Sequence, residues 1–162
     1  MSDIPVFGFA AYSGTGKTTI LEQVIRMLKA KGVQTAVIKH DGHGAVEDCP
    51  GKDSWRFTQA GADIMIIGSP DKLTYIEKKK NSLQELIAMV HDADIILVEG
   101  YKNEPIPRIG IAREAVGKGF TADLSQFLAV MTDLEITDCP VPRFALEDIE
   151  GVTDFLINRI RE

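Results

Sequence analysis

Val6-Phe-Gly-Phe-Ala-Ala11-Tyr-Ser-Gly-Thr-Gly-Lys-Thr18-Thr-Ile-Leu21 is the stretch that decides the fold. Val6 to Ala11 is a short apolar run, read as a buried strand. A glycine-rich turn follows. Ile20, Leu21, Val24, Ile25 and Leu28 then recur at helical spacing up to Lys31-Gly32, a helix terminus. Strand, glycine turn, Lys-Thr and helix in that order are the context a Walker A phosphate loop requires. Backbone N–H groups of Gly14, Thr15, Gly16 and Lys17 can point inward at a β-phosphate, and the helix adds its positive N-terminal end. Lys17 would bridge β- and γ-phosphates, the Thr18 hydroxyl would sit on Mg²⁺, and Thr19 would donate to the α-phosphate. Ala11 stands where the strict pattern has Gly, at a position that ends the strand. Tyr12 stands where the deviant loop of some dimeric ATPases has an extra lysine.

Outward from that loop, further strand-like runs are Thr35–Lys39, Asp63–Ile67, Leu73–Glu77, Ile95–Val98, Ile109–Ala112, Leu128–Met131 and Phe144–Leu146. Helical patterns cover Ser54–Ala60, Leu83–Val90 and Ile149–Ile160. Leu73–Glu77 reads as the hairpin partner of the strand before it, and Arg113–Gln126 reads as a mobile loop. Strands alternating with helices predict a P-loop NTPase-like α/β fold, a mostly parallel sheet covered by helices on both faces. The 162 residues suit one such nucleotide-binding domain, 1–162, with ligands at the carboxyl ends of its strands.

Composition narrows the function classes. Lys plus Arg number 18 against 24 Asp plus Glu, a net charge of −6, so non-specific nucleic-acid binding is not expected. No apolar run reaches membrane-spanning length. Met1-Ser-Asp-Ile-Pro-Val6 lacks the cationic and apolar regions of a secretory signal, and Cys49 and Cys139 suggest no disulfide framework. A cytoplasmic protein with reduced thiols is expected.

Other constellations bear on chemistry. Asp94-Ile-Ile-Leu-Val-Glu-Gly100 ends a buried strand in Glu99, where this fold puts a Mg²⁺-side or water-orienting carboxylate. Glu99 is thus a metal or catalytic candidate; the alternative is a plain rim residue. In the polar loop from Lys39 to Asp53, Asp48 can reach Mg²⁺ through water and Lys52 can neutralise phosphate. His40, Asp41, His43 and Cys49 match no standard zinc spacing. Asp133 ends a strand where a carboxylate can accept from guanine N1–H and its exocyclic amine, selecting GTP over ATP. It reads equally as a turn residue. Lys78-Lys-Lys80 reads as a solvated turn, and Trp55 as half-buried packing.

Taken together, these motifs resemble the molybdopterin-guanine dinucleotide biosynthesis adapter family, MobB. The residues that carry the resemblance are Phe9–Thr19, Ile38-Lys-His40 with His43, Asp48-Cys-Pro-Gly-Lys-Asp-Ser54, Ala60-Gly-Ala62 and Leu97-Val-Glu-Gly-Tyr-Lys102. A looser match runs through Pro107-Arg-Ile109, Ala129–Asp133 and Asp148–Phe155. Arg108 stands where a lysine is common in that family. The resemblance implies a GTP- and Mg²⁺-binding adapter, at most a slow GTP hydrolase. It further implies a cytoplasmic homodimer that assists a MobA-like nucleotidyltransferase in converting the molybdopterin cofactor to its guanine dinucleotide form. Phosphate contacts carry over to Gly14, Thr15, Gly16, Lys17, Thr18 and Thr19, with Lys52, Lys102 and Asp133 as further nucleotide-side candidates. Asp48 and Glu99 are the catalytic candidates, and Thr18, Asp48 and Glu99 the metal candidates. Two rival readings use the same loop: a small-molecule kinase, and a metal-chaperone GTPase of the nickel-insertion type.

Overall fold

The computed structural model describes residues 4–42, 44 and 48–162. Within the length read as one domain, the chain forms two compact units. One comprises the chain up to His40 and again from Leu83 to Glu162; the other comprises Asp41–Ser82.

The first unit is built on a six-stranded sheet. Its strands are β1 (Val6–Ala10), β2 (Thr35–Lys39), β5 (Ile95–Glu99), β6 (Arg108–Ala112), β7 (Ala129–Thr132) and β8 (Arg143–Phe144). Their order is β2-β5-β1-β6-β7-β8, and every pairing is parallel. The central strands β1 and β5 are apolar on both faces because helices cover both. On one face Phe7, Phe9, Leu97, Ile109, Ile111 and Met131 pack on Val24 and Leu28 of α1 (Lys17–Ala30) and Val152 and Leu156 of α4 (Ile149–Ile160). Side chains alternate along a strand. Ile38, Ile96 and Val98 therefore face the other way, onto Leu83, Leu86 and Ile87 of α3 (Leu83–Ala88). A Cβ on Gly110 would lie 2.9 Å from the ring of Phe127, and one on Gly8 would lie 2.8 Å from the guanidinium of Arg108. The two glycines admit side chains that a larger residue would push off the sheet.

The loop after β6, Arg113–Gln126 in the sequence reading, holds two single 3-10 turns, Glu114–Val116 and Leu124–Gln126. It is tied at both ends, by the Arg113 side chain and by buried Phe127.

The second unit holds α2 (Asp53–Gln59) and an antiparallel hairpin of β3 (Ile64–Ser69) and β4 (Lys72–Glu77). This is the expected hairpin, with β3 two residues longer at its turn end than the apolar pattern shows. Ser69 Oγ donates to the Lys72 carbonyl at 2.8 Å and closes the turn. Lys78 Nζ donates to the Thr58 carbonyl at 3.2 Å, tying the hairpin to α2. Trp55 is half-buried, as expected of a packing residue.

Candidate functional site

The order of the sheet creates the site. From β1 the chain turns into α1, while β5 and β6 flank β1 on either side, so the loop after β1 opens at a topological switch point. Gly14 and Gly16 take φ of 82° and 89°, in the left-handed region that glycine enters without a Cβ clash. Gly16 is the residue before α1, and no side chain caps the helix; its first turn carries no acid. Ile20 is the first residue to donate back, to the Gly16 carbonyl at 3.0 Å. The N–H groups of Lys17, Thr18 and Thr19 therefore precede the first intrahelical hydrogen bond, the position at which a helix N-terminus receives an anion. Thr18 and Thr19 are exposed. Thr15 is different: it is buried, and both its N–H (3.3 Å) and its hydroxyl (2.6 Å) donate to the Tyr12 carbonyl. That bond closes the turn and engages an amide the spacing had assigned to phosphate.

Glu99 ends β5 in register with Phe9 of β1 and Lys39 of β2. Its carboxylate stands 3.3 Å from Lys17 Nζ, and both side chains are about four-fifths buried, at 18% and 22% exposure. The first residue of α1 and the last of β5 thus meet as the paired charges of one site. The next two residues are left-handed: Gly100 at φ 89°, which glycine adopts freely, and Tyr101 at φ 50°, where a side chain is strained. A Cβ on Gly100 would lie 2.7 Å from His40 Cβ. His40 donates its N–H to the Glu99 carbonyl at 2.9 Å, and its ring meets that of Tyr101 at 4.8 Å between centroids.

Arg108 secures this segment. Its guanidinium donates to the carbonyls of Gly100 (3.3 Å), Tyr101 (2.5 Å) and Glu104 (2.9 Å). Burial pushes its pKa below the usual arginine value, against the opposing pull of the Glu104 carboxylate. Sequence reasoning missed this clamp, because nothing local links Arg108 to residues 100–104.

Two cavities adjoin the loop. One of about 460 Å³ is lined by Lys17, Lys102, Asn103, Arg108, Thr121 and Gln126, with others. Another of about 410 Å³ is lined by Gly16, Thr19, Ile20, Gln23, Arg113 and Glu147, with Leu146. The structure thus brings Lys17, Glu99 and Lys102 to one end of the sheet. Asp133 lies at the carboxyl end of β7, with one oxygen accepting the Glu114 N–H at 2.7 Å. Asp48 and Lys52 belong to the second unit. There Asp48 Oδ1 accepts the Cys49 N–H at 2.8 Å, while its buried Oδ2 has no hydrogen-bond partner among the described residues. Lys52 precedes α2, where Asp53 and Arg56 pair at 3.8 Å. His43, part of the transition-metal reading, lies outside the described residues; among those described, no three His, Cys, Asp or Glu side chains cluster as metal ligands.

The parallel sheet with a phosphate-type loop at its switch point makes this a P-loop NTPase-like α/β protein. The chain belongs to the family MobB, molybdopterin guanine dinucleotide synthesis protein B, whose profile matches residues 6–133. It is 35% identical over 163 aligned positions to the molybdopterin-guanine dinucleotide biosynthesis adapter protein of Escherichia coli (strain K12), covering 95% of this chain and 92% of that one. The protein of the same description from Haemophilus influenzae is also 35% identical, with 97% and 90% covered. Among solved structures, Bacillus subtilis MobB shares the fold at TM-score 0.75 and 23% identity, covering 96% of this chain and 98% of that one.

Proposed function

We propose that this chain is an adapter in molybdopterin guanine dinucleotide biosynthesis that binds GTP with Mg²⁺ at the loop between β1 and α1. The observation that supports it is the uncapped first turn of α1, free of acidic residues, beside the Lys17–Glu99 pair. Among the described residues no side chain caps that helix end, so a phosphate group is its natural complement.

The oxygen donors suit Mg²⁺, which takes one or two protein ligands and completes its shell with water and phosphate oxygens. Thr18 and Glu99, both of the first unit, would hold it. The ion, when bound, neutralises charge on the β- and γ-phosphates. Lys17 exchanges its carboxylate partner for phosphate, and Thr19 donates on the α-phosphate side.

Hydrolysis at this site is slow in this reading. An arginine finger contributes several orders of magnitude in rate. Arg108 and Arg113 both have their guanidinium groups on backbone carbonyls, and Arg56 sits beside Asp53 on the second unit. The chain then acts through its nucleotide-bound state on a MobA-like nucleotidyltransferase that converts the molybdopterin cofactor, in the cytoplasm. None of its described helices is long and apolar enough to cross a membrane.

The chain works as a homodimer, and the hairpin of the second unit is the surface that fits a second copy. Ile64, Ile66, Leu73 and Tyr75 lie on one face of the hairpin with 41–69% of their surface exposed. Two strands alone are marginal in water, and a partner hairpin would cover this face.

Titration with GTP and ATP tests the nucleotide assignment: GTP binds in the presence of Mg²⁺ and ATP binds more weakly. Equal affinity would remove the guanine preference. Co-precipitation with the nucleotidyltransferase, repeated with Lys17→Ala, tests the adapter assignment. Capture that is indifferent to the substitution and to added GTP would mean that the nucleotide does not control the partner.

A further inference from the structure

We infer that Arg113 is the positioning residue of the phosphate loop, and that Asp133 acts through it rather than on the guanine base. The inference rests on the nucleotide reading above and deepens it. Arg113 immediately follows β6, and its Nε donates to the Thr15 carbonyl at 3.0 Å. Its Nη2 lies 3.4 Å from where a Cβ on Gly16 would stand. The guanidinium therefore lies against the peptide that joins Thr15 to Gly16.

A trans peptide is planar, so its C=O and N–H point in opposite directions. Holding the Thr15 carbonyl outward on Arg113 aims the Gly16 N–H to the other side, into the concave face of the loop. Gly16, with no Cβ and φ of 89°, could otherwise let that peptide rotate at little steric cost. Thr15 is only 2% exposed, so its carbonyl depends on a protein donor. Arginine meets this need with a charged, planar fork of donors. It also places a positive charge behind the amides that receive phosphate.

Arg113 is itself aimed from the next strand. β6 and β7 run side by side, Ala112 opposite Thr132. One residue beyond Thr132 and two beyond Ala112, Asp133 Oδ1 accepts the Glu114 N–H at 2.7 Å. The Val116 N–H donates to the Arg113 carbonyl at 3.0 Å and closes the turn. Two successive hydrogen bonds thus run from the end of β7 to the phosphate loop. The bond to Glu114 gives Asp133 a structural task that any acceptor of its shape can perform.

The test is calorimetric titration of the full chain with GTP, GDP, ATP and inorganic tripolyphosphate, which has no nucleoside. Wild-type protein binds GTP, GDP and tripolyphosphate. Arg113→Ala weakens all three by a common factor, roughly 10- to 100-fold for loss of a charged hydrogen bond. Arg113→Lys, which keeps one charged donor, recovers most of the loss. Asp133→Asn keeps the acceptor and leaves both phosphate affinity and the GTP-to-ATP ratio unchanged, while Asp133→Ala weakens all three ligands about 3- to 10-fold. Far-ultraviolet circular dichroism checks each fold; should Arg113→Ala not fold, the common loss across all three ligands in Asp133→Ala decides, and its absence overturns the proposal. Weaker GTP binding with tripolyphosphate spared would overturn the proposal in favour of a direct nucleoside contact. So would loss of GTP preference in Asp133→Asn, which would make Asp133 a base reader. Unchanged affinity in Arg113→Ala overturns the proposal alone; wild-type protein that binds none of the ligands overturns the nucleotide reading beneath it.

Discussion

Replacing Glu99 by glutamine should tighten, not weaken, the binding of GTP when Mg²⁺ is absent. Glu99 holds Lys17 at 3.3 Å, and both side chains are about four-fifths buried. An incoming triphosphate must break that pair to reach Lys17 and must approach a carboxylate as it does so. At that separation two unit charges attract by about 5 kcal/mol in an effective dielectric of 20. Residual exposure and the hydrogen bonds each group regains elsewhere reduce the net to about 1–2 kcal/mol. Glutamine removes the charge and frees the lysine, so GTP in chelator should bind roughly 5- to 30-fold more tightly, at 1.4 kcal/mol per tenfold. Excess Mg²⁺ reverses the order, because the wild-type carboxylate then helps to hold the ion and glutamine does so poorly. The assay is isothermal titration of both proteins in chelator and again in Mg²⁺, at two ionic strengths. Salt screens exposed charges, so the gain should shrink at the higher one. A variant that binds GTP more weakly than wild type in chelator would refute the reasoning, since the pair could not then be competing with phosphate.

Four further outcomes follow from the structure. Ile66→Lys places a charge amid the exposed face of the hairpin and should convert a dimer to a monomer by light scattering, with GTP affinity of the phosphate loop retained. Leu28→Ala, at a fully buried position where α1 meets the sheet, should cost about 2–4 kcal/mol in urea unfolding. Gly110→Ala sets a Cβ 2.9 Å from the Phe127 ring and should cost about 1–3 kcal/mol, part of which Phe127→Leu recovers. Lys31 has its pKa raised above 10.5, first by its hydrogen bond to Asp154, with the Asp154 and Glu150 charges adding to it against some desolvation. A raised lysine stabilises the fold below its unfolded value and loses that contribution as pH climbs through the folded one. The melting temperature should therefore fall on the alkaline side of 10.5, and less steeply in Lys31→Met.

The phosphate loop could be read from the sequence because everything that defines it is local. Glycines at 14 and 16 permit the turn, and Lys17-Thr18 opens a helix whose apolar spacing is visible through Leu28. Strand runs such as Ile95–Val98 were legible for the same reason, since burial on both faces writes itself as an unbroken apolar string. The α/β class followed from their alternation with helices. Strand order was not local. Only the folded sheet sets β5 and β6 on either side of β1, and only then does Glu99 meet Lys17 and Arg113 reach Thr15, ninety-eight positions away. The clamp of Arg108 on the carbonyls of Gly100, Tyr101 and Glu104 is equally silent in sequence, because a backbone carbonyl carries no residue identity. The grouping of Asp41–Ser82 as a unit of its own also emerges only from packing. Sequence by itself determined which segments become strand, helix and phosphate loop, through spacing and glycine. Tertiary structure alone decided which charges pair and which carbonyls are held, because those depend on the distances that strand order creates.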